Sequence, residues 1–307
     1  MKYSAIVLLE EKSVGFSEFV NRLHEIFSSV EGVFEIVIVA NGTEGFLKNE
    51  LSNIQNSDGL RAFALAKKIT QAICLKAALK ECSGEIIMVC ESYQQITRDS
   101  FLKLLKSFDG GTDIVSPWRQ KRVDSKFGRL QSVFFNILVR KVIGTKFHDL
   151  SCTVKMFRRE VLEETDLYGN MYRFLPIVAS QKGFRNKEVK CEHYQERGKT
   201  GFYGISEYLT RIIDILTLYF NTRFTRKPLR FFSAIGVTFL STGFLAALYV
   251  FIEKVFMHQP VGDRPALLAA VFLAVFGIQI ASVGLLGEII AFTYGRRKNE
   301  YTIEKKI

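Results

Sequence analysis

Apolar positions in this chain change rhythm along its length. Over roughly the first two hundred residues, short strand-like runs alternate with stretches in which apolar residues recur every three or four positions. The runs are Ser4–Leu9, Phe34–Val39, Glu85–Val89 and Asp113–Ser116, and the helical stretches are Phe16–Ser29, Ile69–Glu81 and Arg98–Phe108, with Thr97 placed to cap the last. Such alternation predicts an α/β domain in which helices cross between strands of one sheet. Ligands on these sheets bind beyond the carboxyl ends of the strands, so the residues that follow each run are the first candidates for chemistry.

The rhythm disappears in the last third. Phe231–Ile252 and Ala266–Gly287 contain no charged residue, and at about 1.5 Å per residue each reaches across the roughly 30 Å of a bilayer core. Helices apolar on every face for that length predict two transmembrane spans. Arg223, Arg226, Lys227 and Arg230 precede the first span, and Arg296, Arg297 and Lys298 follow the second. By the positive-inside rule both flanks lie in the cytoplasm, and the loop from Glu253 to Pro265 faces outward. Gly277, Gly284 and Gly287 suit close approach of the two helices, and Glu288 at the inner end of the second span is read as structural. Between the domain and the first span, Ile205–Phe220 has the spacing of an amphipathic helix lying on the membrane face, with packing on the domain's own core as the alternative.

The expected organisation is therefore an α/β domain over 1–204, a juxtamembrane helix and basic linker over 205–230, a two-helix hairpin over 231–294, and a cytoplasmic tail over 295–307. Composition narrows the partners. The net charge of +11 suits phosphorylated ligands, anionic lipid or nucleic acid, but much of it flanks the spans, and no nucleic-acid partner is expected. Five widely spaced cysteines without a CxxC pair point to reduced, buried thiols and no zinc site. The opening residues MKYSAIVLLEEKSVG fit a first buried strand better than a secretory signal, which leaves the domain in the cytoplasm.

Three ordered stretches carry a family resemblance. They are SPWRQKRVDSKFGRLQSVFFNILVRKVIG (Ser116–Gly144), HDLSCTVKMFRREVLEE (His148–Glu164) and YRFLPIVASQKGFRNKEVKCEHYQERGKTGFYG (Tyr172–Gly204). Together with the paired C-terminal spans they resemble the polyisoprenyl-phosphate sugar transferases of glycosyltransferase family 2, the dolichyl-phosphate mannose synthase type. The resemblance implies a GT-A (Rossmann-like) domain that moves a sugar from a nucleotide sugar to a polyisoprenyl phosphate at the cytoplasmic leaflet of the cell (inner) membrane. It implies phosphate-binding roles for Arg119, Arg122, Arg197 and Lys199, residue types suited to oxyanions, against a solvated basic face as the alternative. It makes Asp149 the catalytic candidate, as general base or as a residue holding the lipid phosphate, with a turn aspartate as the alternative. Arg173 is divided between phosphate contact and a structural ion pair.

The first half departs from the family pattern. Where the family has paired aspartates after the second strand, this chain has Ala40-Asn41-Gly42-Thr43, so Asn41 and Gly42 become the candidate nucleotide contacts. Where the family has Asp-x-Asp, this chain reads Cys90-Glu91-Ser92. Glu91 and Ser92 are the remaining donor-site candidates, and Glu91 is the one candidate ligand for Mg²⁺ or Mn²⁺, which favour hard oxygen donors. Strand alternation turns Glu91 away from its neighbours, and Glu10 or Glu11 is the other carboxylate at hand. Two functions are carried forward: an active transferase with an altered donor site, and a silent relative acting as a lipid-phosphate-binding or scaffold partner of another membrane enzyme. Homo-oligomer formation is left open.

Overall fold

The computed structural model describes residues 2–10, 14–54, 58–120, 148–165, 171–194, 228–257 and 265–295, with a few isolated positions between them. These fall into two compact units, one within 1–215 and one within 216–300.

The first unit is a seven-stranded sheet in the order β3-β2-β1-β4-β6-β5-β7. The strands are β1 (Lys2–Leu9), β2 (Val33–Ala40), β3 (Leu60–Ala64), β4 (Ile86–Glu91), β5 (Ile114–Gln120), β6 (Lys155–Arg158) and β7 (Asn186–Glu192). Strand β6 runs antiparallel to both β4 and β5, while the other pairings are parallel. The carboxyl ends of six strands therefore share one edge of the sheet.

Side-chain alternation divides the core in two. Ala5, Val7, Ile36, Ile38, Met88 and Cys90 pack on one face against Phe19, Leu23 and Phe27 of α1 (Phe16–Ser28) and Phe101 and Leu104 of α4 (Arg98–Lys106). Ile6, Leu8, Val37, Val39, Ile87 and Val89 pack on the other against Leu75 and Leu79 of α3 (Gln71–Glu81), Val161 of α5 (Arg159–Glu164) and Leu175 of α6 (Leu175–Gln181). Strands buried on both faces read as continuous apolar runs, which is why β1, β2 and β4 stand out in the sequence. Helix α2 (Glu44–Leu51) and the edge strand β3 did not stand out: α2 buries only Leu47, and β3 buries none of its side chains fully. Thr97 does occupy the N-cap position of α4 in an extended conformation, yet its hydroxyl bonds the Ser100 hydroxyl at 3.0 Å rather than a backbone N–H.

The second unit is a hairpin of α7 (Pro228–Met257) and α8 (Pro265–Gly295), both longer than the uncharged runs and each opening on a proline, which suits the first helical turn. Glycines set the crossing. A Cβ on Gly277 would lie 2.6 Å from the Gly236 carbonyl oxygen, and one on Gly284 would lie 2.7 Å from Phe232 Cβ. Glu288 uses its carboxylate as a helix cap, accepting from the Leu229 backbone N–H at 3.2 Å in the first turn of α7.

Candidate functional site

Three clusters lie along the carboxyl edge of the sheet. The first joins the ends of β1 and β2. Asn41, 1% exposed, pairs with the backbone of Ile69 in both directions: its Oδ1 accepts from the Ile69 N–H at 2.8 Å, and its Nδ2 donates to the Ile69 carbonyl at 2.8 Å. The same Nδ2 reaches Glu10 Oε1 at 3.2 Å, and Gln71 Nε2 donates to Glu10 Oε2 at 2.9 Å. Two amides thus hold one carboxylate just past β1. Gly42 follows with φ +81°, a conformation that costs glycine little, and it allows the chain to turn beside Lys68.

The second cluster is the end of β4. Glu91 is its last residue, opposite Leu8 of β1, and falls on the face of Ile87 and Val89. Cys90 points into the other core, its thiol donating to the Ile6 carbonyl at 3.6 Å, and burial pushes its pKa well above the ordinary thiol value. Ser92 is 4% exposed. Among the described residues no three His, Cys, Asp or Glu side chains converge on a point that could hold a metal ion. With Cys90 locked in the core and Glu91 on the opposite face, the residues at the Asp-x-Asp position do not form a hard-oxygen site for Mg²⁺ or Mn²⁺.

The third cluster is the most tightly built. Arg119, near the end of β5, donates through Nε to Asp149 Oδ2 at 2.7 Å and through Nη2 to Asp149 Oδ1 at 3.1 Å. The Arg119 backbone N–H adds a contact to Oδ2 at 3.3 Å, and the Ser151 hydroxyl donates to Oδ1 at 2.9 Å. This bidentate pair is buried, with side chains 3% and 4% exposed. Asp149 is therefore an anchor for the guanidinium, both of its oxygens already accepting from protein donors. The sequence places both residues in the acceptor half; their mutual contact is a tertiary fact that no spacing rule provides.

Beneath this cluster sits a residue that sequence reasoning passed over. Lys155 opens β6, is fully buried, donates through Nζ to the Cys152 carbonyl and lies 5.4 Å from the Tyr172 ring centroid. Burial lowers its pKa to about 8, against the attraction of Asp149 and Cys152. The Tyr172 hydroxyl in turn donates to the Thr153 carbonyl at 2.7 Å and approaches the Val89 carbonyl at 3.3 Å, tying the segment that leads into β6 to β4. Gln95 fixes the same turn, its Oε1 accepting from the Thr153 N–H at 2.8 Å. A lysine inside Thr153-Val154-Lys155-Met156-Phe157, where alternation turns it inward, was the available signal.

Of the nine candidate residues, the structure brings Arg119 and Asp149 into contact and sets Asn41, Gly42, Glu91 and Ser92 along the same edge of the sheet. Arg122, Arg197 and Lys199 lie outside the described residues, as does the segment Ile205–Phe220 except for Ile213, Leu216 and Thr217, which are helical and exposed.

Residues 17–166 match the family described as glycosyl transferase family 2, and residues 227–292 match the GtrB C-terminal hairpin. A dodecaprenyl-phosphate galacturonate synthase of Rhizobium johnstonii is 27% identical over 293 residues, spanning 94% of this chain and 86% of its own. An undecaprenyl-phosphate 4-deoxy-4-formamido-L-arabinose transferase of Proteus mirabilis is 23% identical over 312 residues, spanning 100% of this chain and 94% of its own. Among solved structures, glucosyl-3-phosphoglycerate synthase of Mycobacterium tuberculosis, in complex with Mn²⁺, UDP and glucosyl-3-phosphoglycerate, superposes with a TM-score of 0.54 at 14% identity. That likeness covers 72% of this chain and 79% of the other. It speaks to fold: the mixed α/β GT-A-like sheet expected from the sequence is the one seen.

Proposed function

We propose that this chain, which belongs to glycosyltransferase family 2 and carries a GtrB-type C-terminal hairpin, moves a sugar from a nucleotide sugar to the phosphate of a polyprenyl lipid at the cytoplasmic leaflet. The observation that carries the reading is the buried Arg119–Asp149 clamp at the carboxyl edge of a family-2 sheet, in a chain that also bears two membrane-length apolar helices. In this reading residues 1–204 hold the chemistry and the hairpin keeps it at the bilayer, with both termini cytoplasmic.

The chemistry asks little of a base. A phosphate monoester with a second pKa near 6 is mostly deprotonated at neutral pH, so its oxygen attacks without first losing a proton to the protein. A bond forms between that oxygen and the anomeric carbon, the bond from that carbon to the diphosphate breaks, and the electron pair leaves with the nucleoside diphosphate. Negative charge gathers on both sides of the reacting carbon, so what the site has to supply is fixed positive charge and hydrogen-bond donors. Asp149 serves by holding Arg119 in one orientation, a positioning role, and Ser151 restrains the carboxylate from the other side. Arg122, Arg197 and Lys199 join it as phosphate ligands on the strength of their motifs. At the donor end, Glu10, held by Asn41 and Gln71, offers an acceptor for ribose hydroxyls, and Gly42, Glu91 and Ser92 line the approach.

The reading is tested by titrating UDP, GDP and their common sugars into the full chain in detergent, then following transfer to polyprenyl phosphate. Binding of one nucleotide class and formation of a lipid-linked sugar support it. A folded protein that binds polyprenyl phosphate yet takes no nucleotide and forms no product would make it a silent lipid-phosphate binder.

A further inference from the structure

Two consecutive residues of β5 meet two consecutive residues of the segment that enters the core before β6. Arg119 takes the Asp149 carboxylate, and Trp118 takes His148: the indole and imidazole centroids lie 4.0 Å apart at an interplanar angle of 15°. Alternation along β5 puts the two contacts on opposite faces of the sheet. Arg119, in register with Cys191, shares the face of Val115, whereas Trp118, in register with Lys190, shares the face of Ile114.

Glu188 of β7 completes the second contact. Its Oε1 accepts from the His148 backbone N–H at 2.8 Å, and its Oε2 accepts from the ring Nδ1 at 2.7 Å. A carboxylate only accepts, so Nδ1 carries the ring proton. Hydrogen bonds to a charged acceptor are the stronger kind, and two of them from one carboxylate, 16% exposed, fix both the backbone and the ring of a single residue.

His148 stands where such fixing matters. Gly144, Thr145 and Phe147 lie in no helix or strand, while Leu150, Cys152 and Val154 are buried, so His148 and Asp149 mark the point where irregular chain enters the core. Neither belongs to a strand, and no ladder bond sets their position. Consecutive Cα atoms keep a spacing of about 3.8 Å, so a shift of His148 is carried into Asp149. A misplacement of about 1 Å in a positioning group can cost on the order of a hundredfold in rate.

We propose that Glu188, His148 and Trp118 are positioning residues for the acceptor phosphate: together they hold the Asp149 backbone where its carboxylate keeps Arg119 aimed at that phosphate. The inference rests on the transfer reading, in which Arg119 binds the lipid phosphate. It leaves the donor end alone, because Glu10 and Asn41 stand beyond β1 and β2 and are held by Gln71 and Ile69.

Trp118 is the only tryptophan in the chain, so the full protein in detergent carries its own probe of the stack. Glu188→Gln keeps the side chain's size but turns an NH₂ group towards one of the two N–H donors. It should open Trp118 to quenching by acrylamide and raise KM for polyprenyl phosphate about tenfold, with KM for the nucleotide sugar within about twofold of the parent. Trp118→Leu should raise the same KM, and Trp118→Phe, which restores a ring for His148 to lie on, should recover most of the loss. Glu160→Gln, an equal loss of charge at an exposed position on α5, should match the parent. Equal losses on both substrates in Glu188→Gln, or an unchanged KM for polyprenyl phosphate, would overturn the proposal. Absence of transfer by the parent chain would instead overturn the transfer reading. Calorimetry with polyprenyl phosphate alone then decides the positioning role: affinity about tenfold weaker in Glu188→Gln supports it, and equal affinity sinks it.

Discussion

Arg119 Nε and Asp149 Oδ2 stand 2.7 Å apart in a pair whose side chains are 3% and 4% exposed. A charge pair this far from water is stable only while both members are present, because removing one leaves the other buried and uncompensated. Asp149→Asn should therefore lower folding stability by about 3 kcal/mol, measured by denaturant unfolding, and reduce kcat/KM for transfer by at least about a hundredfold. Arg119→Lys keeps the charge but not the bidentate fork, and should recover less than a tenth of the activity. If Asp149 acted as a base rather than an anchor, Arg119→Lys would retain most of kcat.

Glu35, on β2, probes the opposite end of the sheet. Burial alone would raise its pKa, but hydrogen bonds from the Ser4 hydroxyl, the Ser83 N–H and hydroxyl, and Arg61 outweigh it and bring the value from 4.5 to about 2. The folded state thus binds this proton less readily than the unfolded chain, so its stabilising contribution is complete above pH 4.5 and is lost as pH falls towards 2. At neutral pH it amounts to at most about 3 kcal/mol, reduced because Arg61 is half exposed and screened by water. Urea midpoints between pH 7 and pH 3 should fall more steeply for the unmodified chain than for Glu35→Gln.

Lys155 gives the reverse sign. Its folded pKa, lowered by burial from 10.5 to about 8, means that the unfolded chain holds the proton more tightly between those values, so stability should rise as pH goes from 8 to 10. Lys155→Met removes a buried charge while keeping the volume, and should leave the midpoint unchanged or higher. If activity falls in that variant while stability does not, Lys155 helps to position the Asp149 loop.

Gly277 tests the hairpin. A Cβ there would fall 2.6 Å from the backbone oxygen of Gly236, too close for any side chain without separating the helices. Gly277→Leu should expose the α7–α8 seam to proteolysis in detergent, whereas Ile278→Leu, facing outward, should behave as the parent does.

Much of this architecture is legible from the chain because burial on both faces leaves a strong signature. Strands β1, β2 and β4 appear as mainly apolar runs, and the hairpin as two long uncharged ones. Elements without that signature went unseen: β3, exposed along most of its length, and β6, four residues long with a lysine turned inward. The site is legible in part. Motifs name Arg119 and Asp149, but the bond between them spans 30 residues and is created by the pairing of β5 with β6. Sequence alone leaves Asn41 free to bind a nucleotide, whereas in the fold its amide is occupied by Ile69 and Glu10, which leaves Glu10, past the end of β1, as the carboxylate at hand. Glu10→Gln should therefore weaken nucleotide binding about tenfold by calorimetry, with the Asn41 backbone contacts intact.

Sugar transfer is read by incubating the full chain, in phospholipid vesicles, with polyprenyl phosphate and a panel of nucleotide sugars, and analysing the lipid fraction by mass spectrometry. One lipid-linked sugar phosphate should form with release of the nucleoside diphosphate, and be lost in Arg119→Lys. Absence of any such product from every donor, with protein that is folded and still binds polyprenyl phosphate, would contradict sugar transfer by this chain.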